Sequence, residues 1–198
     1  MAEQTHHFFA LLSRLKYIER WALMRSAATE NLAEHSLEVA MIAHALCVIG
    51  NVRYGRDLNA ERAALVGMYH DASEIITGDM PTPVKYFNTE IRSAYAKVER
   101  AATERLLATL PDDLAPVYSE VLDTDGDAYL LRLVKAADKL SALIKCIDEE
   151  HAGNEEFKNA AMSTRESIAQ MASEMPEVKD FVDEFLPSYG RTLDELLG

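Results

Sequence analysis

Two cysteines, eight glycines and six prolines are few for a chain of 198 residues. With no CxxC pair and both Cys47 and Cys146 inside apolar helical patterns, a disulfide-stapled scaffold is excluded and reduced core thiols are expected. No repeat, low-complexity tract or Ser/Gly-rich linker interrupts the chain, so one domain over 1–198 is the expected organisation. No run of about 18 apolar residues occurs, which argues against a membrane span. The N-terminal stretch lacks a basic leader, and its apolar run is broken by Ser13 and Arg14, so no signal peptide is expected. A cytoplasmic location follows as an expectation. Positive charge is also short: 20 basic against 33 acidic residues leaves −13 with histidine neutral. Such a surface repels nucleic-acid polymers and anionic membranes, and neither is expected as a partner. An anionic substrate therefore needs a local positive focus or a metal ion. Walker A, GxGxxG, HExxH and GxSxG strings are all missing, which removes several common enzyme classes.

What is present is an ordinary globular composition, 48% apolar and 27% charged. A chain of this size buries roughly 70% of the surface its unfolded form exposes, enough for a core that tolerates some polar groups. Helical spacing runs through 6–18, and 19–32 breaks the rhythm as a loop. From 33 to about 49, Val39, Ile42, Ala43 and Leu46 form one stripe behind Asn31 as a cap. Asn59 can cap a helix to about Ile76, and Gly78, Pro81 and Pro83 then stop it and impose an extended loop. Further helices are expected to about Leu110, then a shorter one punctuated by Pro111 and Pro116, and over 128–151, 155–173 and 177–185. No segment alternates with period two for long. The fold class expected is all-α.

Several ionisable residues interrupt the apolar stripes. His35 shares a stripe with Val39, Ile42 and Leu46, and His70 with Ala63, Val66 and Gly67. Asp138 lies on the face of Leu131, Val134 and Ala142, where an unpartnered carboxylate would cost several kcal/mol. Asp71 adds a second acid beside His70. Two imidazoles and two carboxylates on inward faces make a candidate site for a divalent metal. The competing readings are a satisfied core histidine and an Asp138 paired with a buried Arg or Lys. His44 also lies among apolar neighbours, and nothing in the pattern excludes it as a ligand; His6, His7 and His151 read as solvated. Adjacent helical residues point about 100° apart, so His70 and Asp71 reach one ion only along the bisecting direction. Glu74 stands one turn on, where a water-activating base belongs. A ferritin-like oxidase is disfavoured, because only Glu3–His6 fits ExxH.

The order His35, His70-Asp71, Asp138 resembles the HD-domain superfamily of metal-dependent phosphohydrolases. The strings ERWALMR (19–25), TENLAEHSLEVAMIAHAL (29–46), MYHDASEIITGDMPTPVKYFN (68–88) and LVKAADKLSALIKCIDE (133–149) are similar to the bacterial YfbR-type 5′-deoxynucleotidases. The likeness covers nearly the whole chain and weakens near 110–128 and after 155. It implies an all-helical HD bundle, a homodimer, and hydrolysis of deoxyribonucleoside 5′-monophosphates with one divalent ion such as Co²⁺ or Mn²⁺. Carried over by position, His35, His70, Asp71 and Asp138 are the metal ligands, with His35 and Asp138 also facing substrate. Glu74 matches the catalytic acid on the ligand helix; as a hypothesis, Glu74 orients or deprotonates the water and Asp79 supplies the proton to the departing 5′-oxygen, or the converse. Arg20 and Trp21 form a substrate-contacting pair, Arg20 also serving catalysis, and Asp79, Met80, Pro81 and Thr82 form a substrate-binding loop. Arg20 can offer a planar fork to two phosphate oxygens, against the alternative of a surface salt bridge with Glu19 or Glu30. Lys85 can add field near the loop or be solvated. Two other functions stay open: an HD phosphohydrolase for a cyclic or polyphosphorylated nucleotide, and a metal-bearing regulatory helical protein without turnover.

Overall fold

The computed structural model describes residues 5–85, 87–122 and 127–198; Glu3 and Tyr86, touched on above, lie outside them. The α-helices follow in the order α1 (Phe8–Leu12), α2 (Leu32–Tyr54), α3 (Ala60–Tyr69), α4 (Glu74–Thr77), α5 (Thr82–Lys85), α6 (Thr89–Leu107), α7 (Ala115–Leu122), α8 (Ala128–His151), α9 (Lys158–Glu174), α10 (Pro176–Glu184) and α11 (Leu193–Leu197). Among the described residues, extended pairing is limited to an isolated antiparallel bridge between Glu19 and Asn31. The all-α reading therefore holds.

Side-chain caps set several helix starts. Asn31 Oδ1 accepts the Ala33 and Glu34 amides at 3.0 and 3.1 Å, and Glu34 Oε2 accepts the Asn31 amide at 3.2 Å. This reciprocal box satisfies donors that the first turn of α2 leaves open. Asn59 accepts the Arg62 amide at 2.8 Å, Asn88 the Ile91 amide at 2.7 Å, and Asp127 the Tyr129 amide at 2.9 Å.

Three departures from the sequence pattern matter. The expected helix over 6–18 is α1 followed by a tighter 3₁₀ turn, Ser13–Tyr17. The helix expected to reach Ile76 ends at Tyr69, where Ala72 N bonds Tyr69 O at 3.0 Å and Glu74 N bonds Asp71 O at 2.9 Å. Those three-residue steps tighten the chain into a turn before α4 begins. In the Pro-rich loop, Pro81 O accepts the Val84 and Lys85 amides at 2.8 and 3.0 Å, closing the single turn of α5. Beyond the expected elements, α11 starts at a Thr192–Glu195 capping box.

The chain divides into two compact units, one of Met1–Leu23, Thr29–Ser36 and Tyr69–Thr124, the other of Met24–Ala28, Leu37–Met68 and Asp125–Gly198. In the first unit, Phe8, Ala72, Leu106 and Leu110 form a buried cluster packed by Tyr69, Ile75 and Tyr118. The Phe8 and Tyr118 ring centroids are 4.9 Å apart. In the second, α8 packs on α9 and α9 on α10. Leu133, Ala137, Leu140 and Ile144 supply the buried stripe of α8. Cys47 and Cys146 are buried free thiols, and burial pushes Cys47 up to about 11. By length and composition α2 could cross a membrane, with a mean hydropathy of 1.5, yet 56% of that window is buried inside the protein. A buried core helix passes the same test.

Gly67 fixes how closely α3 approaches α2. A Cβ there would sit 3.0 Å from Ala40 Cα and 3.1 Å from Ala40 N, both backbone atoms. Adding a methyl group inside a helix normally stabilises it by up to about 1 kcal/mol relative to glycine. Here the sign reverses: Gly67→Ala is expected to destabilise by about 1–3 kcal/mol through overpacking, read as a lower denaturation midpoint. An unchanged or raised midpoint would show that the helices can move apart freely.

Candidate active site

His35, on α2, and His70, just past the end of α3, stand near one another in the first unit. Their ring centroids are 5.2 Å apart at an interplanar angle of 61°, and a ring nitrogen of each lies within 4.8 Å of the other. Asp71 Oδ2 is 3.6 Å from His35 Nε2 and 3.0 Å from His70 Nε2. One carboxylate oxygen thus faces both imidazoles. The expected geometry of His70 and Asp71 as helix neighbours is replaced by the turn after α3, which brings the Asp71 carboxylate back towards His70. His35 is buried at 1% exposure, whereas the Asp71 side chain keeps 22%.

Glu74 opens α4 one step beyond that turn and is also buried. Its Oε2 has no hydrogen-bond partner among the described residues. Burial first, then the charges of Asp71 and Asp79, pushes its carboxyl up to about 9, with Lys85 and His70 opposing. Asp79 is raised as well: burial outweighs the Arg20 charge and the Trp21 amide hydrogen bond that favour its ionised form. An unpartnered buried oxygen on Glu74, in the field of Asp71 and Asp79, is a group that a bound cation would satisfy. Two imidazoles and a carboxylate sharing one focus are a donor set suited to a divalent transition metal, so the residues present fit such an ion.

Arg20 and Trp21 lie in the loop closed by the Glu19–Asn31 bridge. The alternative partner is present: Arg20 Nη1 meets Glu30 Oε2 at 2.5 Å, with side-chain exposures of 12% and 13%. This is a shielded pair rather than a surface one. Trp21 Nε1 donates to the same oxygen at 2.9 Å. Met80, Pro81 and Thr82 follow Asp79 on the segment between Gly78 and α5, with Met80 and Pro81 half-buried and Thr82 exposed. Lys85 is not fully solvated; it pairs with Glu99 at 2.7 Å and sits 5.0 Å over the Tyr95 ring. Arg20, Trp21, His35, His70, Asp71, Glu74 and Asp79 are all brought into the first unit. Asp138 belongs to the second, on α8, with a side-chain exposure of 15% and an ion pair to Lys135 at 2.6 Å. That partner is itself half exposed, unlike the buried base considered from sequence. His6, His7, His44 and His151 are exposed.

Against this geometry, residues 7–189 match the model of the YfbR-like 5′-deoxynucleotidases. The chain belongs to that family. A 5′-deoxynucleotidase of Erwinia tasmaniensis is 48% identical over 191 residues, covering 96% of each chain. The 5′-deoxynucleotidase YfbR of Escherichia coli O1:K1 / APEC is likewise 48% identical, over 96% of this chain and 95% of that one. Among solved structures, an HD-domain phosphohydrolase from Listeria innocua superposes with a TM-score of 0.82 at 28% identity, over 92% of this chain and 88% of that one. The family membership agrees with the HD-type helical fold, and the first unit holds every position that the family resemblance singled out except Asp138.

Two contributors are named by the sequence without their roles being fixed. Glu30 entered only as a competing partner for Arg20, because a lone acid in a loop has no periodicity to betray its direction. Lys85, by sequence, either adds field near the loop or is solvated; the unforeseen turn of α5 carries it, and it pairs with Glu99.

Proposed function

We propose that this YfbR-like protein is a metal-dependent 5′-deoxynucleotidase that hydrolyses deoxyribonucleoside 5′-monophosphates to deoxynucleoside and phosphate. The observation that carries this is the meeting of His35, His70 and Asp71 beside a buried Glu74. His35, His70, Asp71 and Asp138 would hold one divalent ion, with Co²⁺ or Mn²⁺ the expected species; Asp138 joins the set on the family's motif order. When bound, such an ion lowers the pKa of a coordinated water and neutralises charge on phosphoryl oxygens.

The chain's own groups supply the rest. Glu74, held next to Asp71 at the start of α4, orients or deprotonates the attacking water. Asp79, whose carboxyl is raised by burial, carries the proton to the departing 5′-oxygen. Arg20 has five N–H groups and gives one edge to Glu30, so the others can grip phosphate oxygens and align the ester for in-line attack. Met80, Pro81 and Thr82 border the substrate, and His35 and Asp138 face it as well as the ion. Trp21 crowds the sugar C2′ and excludes a 2′-hydroxyl. Among the described residues no group dedicated to a base edge stands out, in keeping with loose base preference. One HD domain over the whole chain, a homodimer and a cytoplasmic location complete the proposal on the family resemblance.

Phosphate release from matched deoxy- and ribonucleotides tests it, with cyclic and polyphosphorylated nucleotides alongside. The expected result is turnover of dAMP well above AMP, and a narrower gap in kcat/KM for Trp21→Ala. Preferential turnover of a cyclic nucleotide or a triphosphate would replace this substrate class by another, and an unchanged dAMP/AMP ratio in Trp21→Ala would remove the role of the indole.

A further inference from the structure

Residues 20 and 21 are held in a way that neither could achieve alone. Glu30 Oε2 accepts both from Arg20 Nη1 at 2.5 Å and from Trp21 Nε1 at 2.9 Å, while the Glu30 backbone oxygen accepts the Arg20 amide at 2.9 Å. Trp21 has φ +61°, the positive-φ residue other than glycine among those described. A bulky side chain persists in that left-handed region only where its surroundings over-determine it. Here the indole is fixed by Glu30, the Trp21 amide is bound by the Asp79 carboxylate, and the loop ends are tied by the Glu19–Asn31 bridge. The Arg20 guanidinium also lies 5.7 Å over the Trp21 ring.

We propose that Glu30 is a positioning residue that locks the Arg20 guanidinium and the Trp21 indole into one unit, and through them sets discrimination between deoxyribose and ribose 5′-phosphates. The assignment rests on the substrate reading given under Proposed function. Glu30 itself touches no reacting atom. Because a single carboxylate oxygen serves both donors, losing it frees the phosphate fork and the sugar wedge together. A residue that merely stabilised the fold would lower the melting temperature without selectively moving either.

Trp21 is the sole tryptophan, so fluorescence excited at the red edge, where tyrosine does not absorb, reports this one side chain. Acrylamide quenching and the dAMP/AMP ratio of kcat/KM are measured for the metal-loaded full chain, Glu30→Gln and Glu30→Ala. Loss of a charge-assisted bond corresponds to about a tenfold effect, so the ratio in Glu30→Ala is expected to fall by about that factor, with KM for dAMP rising more than kcat falls. Its indole is expected to be quenched more readily than in the parent. Glu30→Gln keeps an acceptor for the indole but loses the charge facing Arg20; it is expected to retain the quenching of the parent while KM rises. Parental quenching and an unchanged ratio in Glu30→Ala would overturn the proposal. Should Glu30→Ala not fold, an unchanged KM in Glu30→Gln overturns it. If the parent releases no phosphate from either nucleotide, the substrate reading fails; the quenching comparison then still decides whether Glu30 holds the indole.

Discussion

Asp71→Ala is expected to lower kcat/KM for dAMP by about a thousandfold, the equivalent of roughly 4 kcal/mol of transition-state stabilisation at 1.36 kcal/mol per factor of ten. Its carboxylate oxygen faces both histidines, at 3.6 and 3.0 Å. Removing it takes one donor from the ion and leaves the two imidazoles without the anion that balances them. If Asp71 were only a structural ion-pair partner, the variant would lose stability and keep turnover once folded. Phosphate-release kinetics and metal content measured on the same folded sample separate the two cases. Activity within threefold of the parent, or parental metal content, would contradict the role given to Asp71.

Glu149 is the position where the largest stability effect is expected. The side chain is 1% exposed and pairs with the buried Lys145. Its oxygens accept the Ala27 amide at 2.7 Å, the Ala28 amide at 3.3 Å and the Asn154 amide group at 2.6 Å, while Lys145 Nζ also donates to Ala28 O at 2.5 Å. All these residues belong to the second unit, where the pair fastens the segment Met24–Ala28 to the end of α8. Burial alone would raise the Glu149 carboxyl, but the Lys145 ammonium and the three amide donors outweigh it and hold it at about 2. Breaking a buried pair from one side typically costs about 3–5 kcal/mol, because the remaining charge is stranded. For a chain of this length, Glu149→Leu is expected to lower the Tm by roughly 10 °C. A folded-state value below the ordinary 4.5 means the contribution is complete above about pH 4.5 and fades as pH falls towards 2. The Tm gap between parent and variant should therefore be full at neutral pH and shrink in acid. A gap below about 2 °C at pH 7 would show that the network contributes little.

The legible parts of the fold were those where one face of a long helix carries the signal. Val39, Ile42, Ala43 and Leu46 on α2 are buried as their spacing requires, and Asn31 and Asn59 have side chains that accept amides at helix starts. What was not legible depends on local bonding with no periodic trace. The helix through His70 ends early because three-residue hydrogen bonds take over at Tyr69, and the positive φ of Trp21 follows from tertiary hydrogen bonds. Lys145 and Glu149 illustrate the same limit. Their four-residue spacing is visible in the sequence, but Lys179 and Asp183 have it too and form an exposed pair. Spacing gives the pairing and burial decides its worth.

For the site, residue identities in motif order were sufficient to nominate His35, His70 and Asp71, which share one focus. They did not reveal that Glu74 would be buried with an orphaned oxygen, or that Arg20 and Trp21 would share one acceptor. Those features arise from the turn after α3 and from the loop closed at Glu19 and Asn31.

The most direct measurement is phosphate release from dAMP by protein stripped with a chelator and then given back Co²⁺ or Mn²⁺. Turnover should vanish on stripping and return as the added ion approaches one per chain. Full turnover in the stripped protein, with no metal found by elemental analysis, would contradict the claim that these histidines and aspartates act by holding an ion.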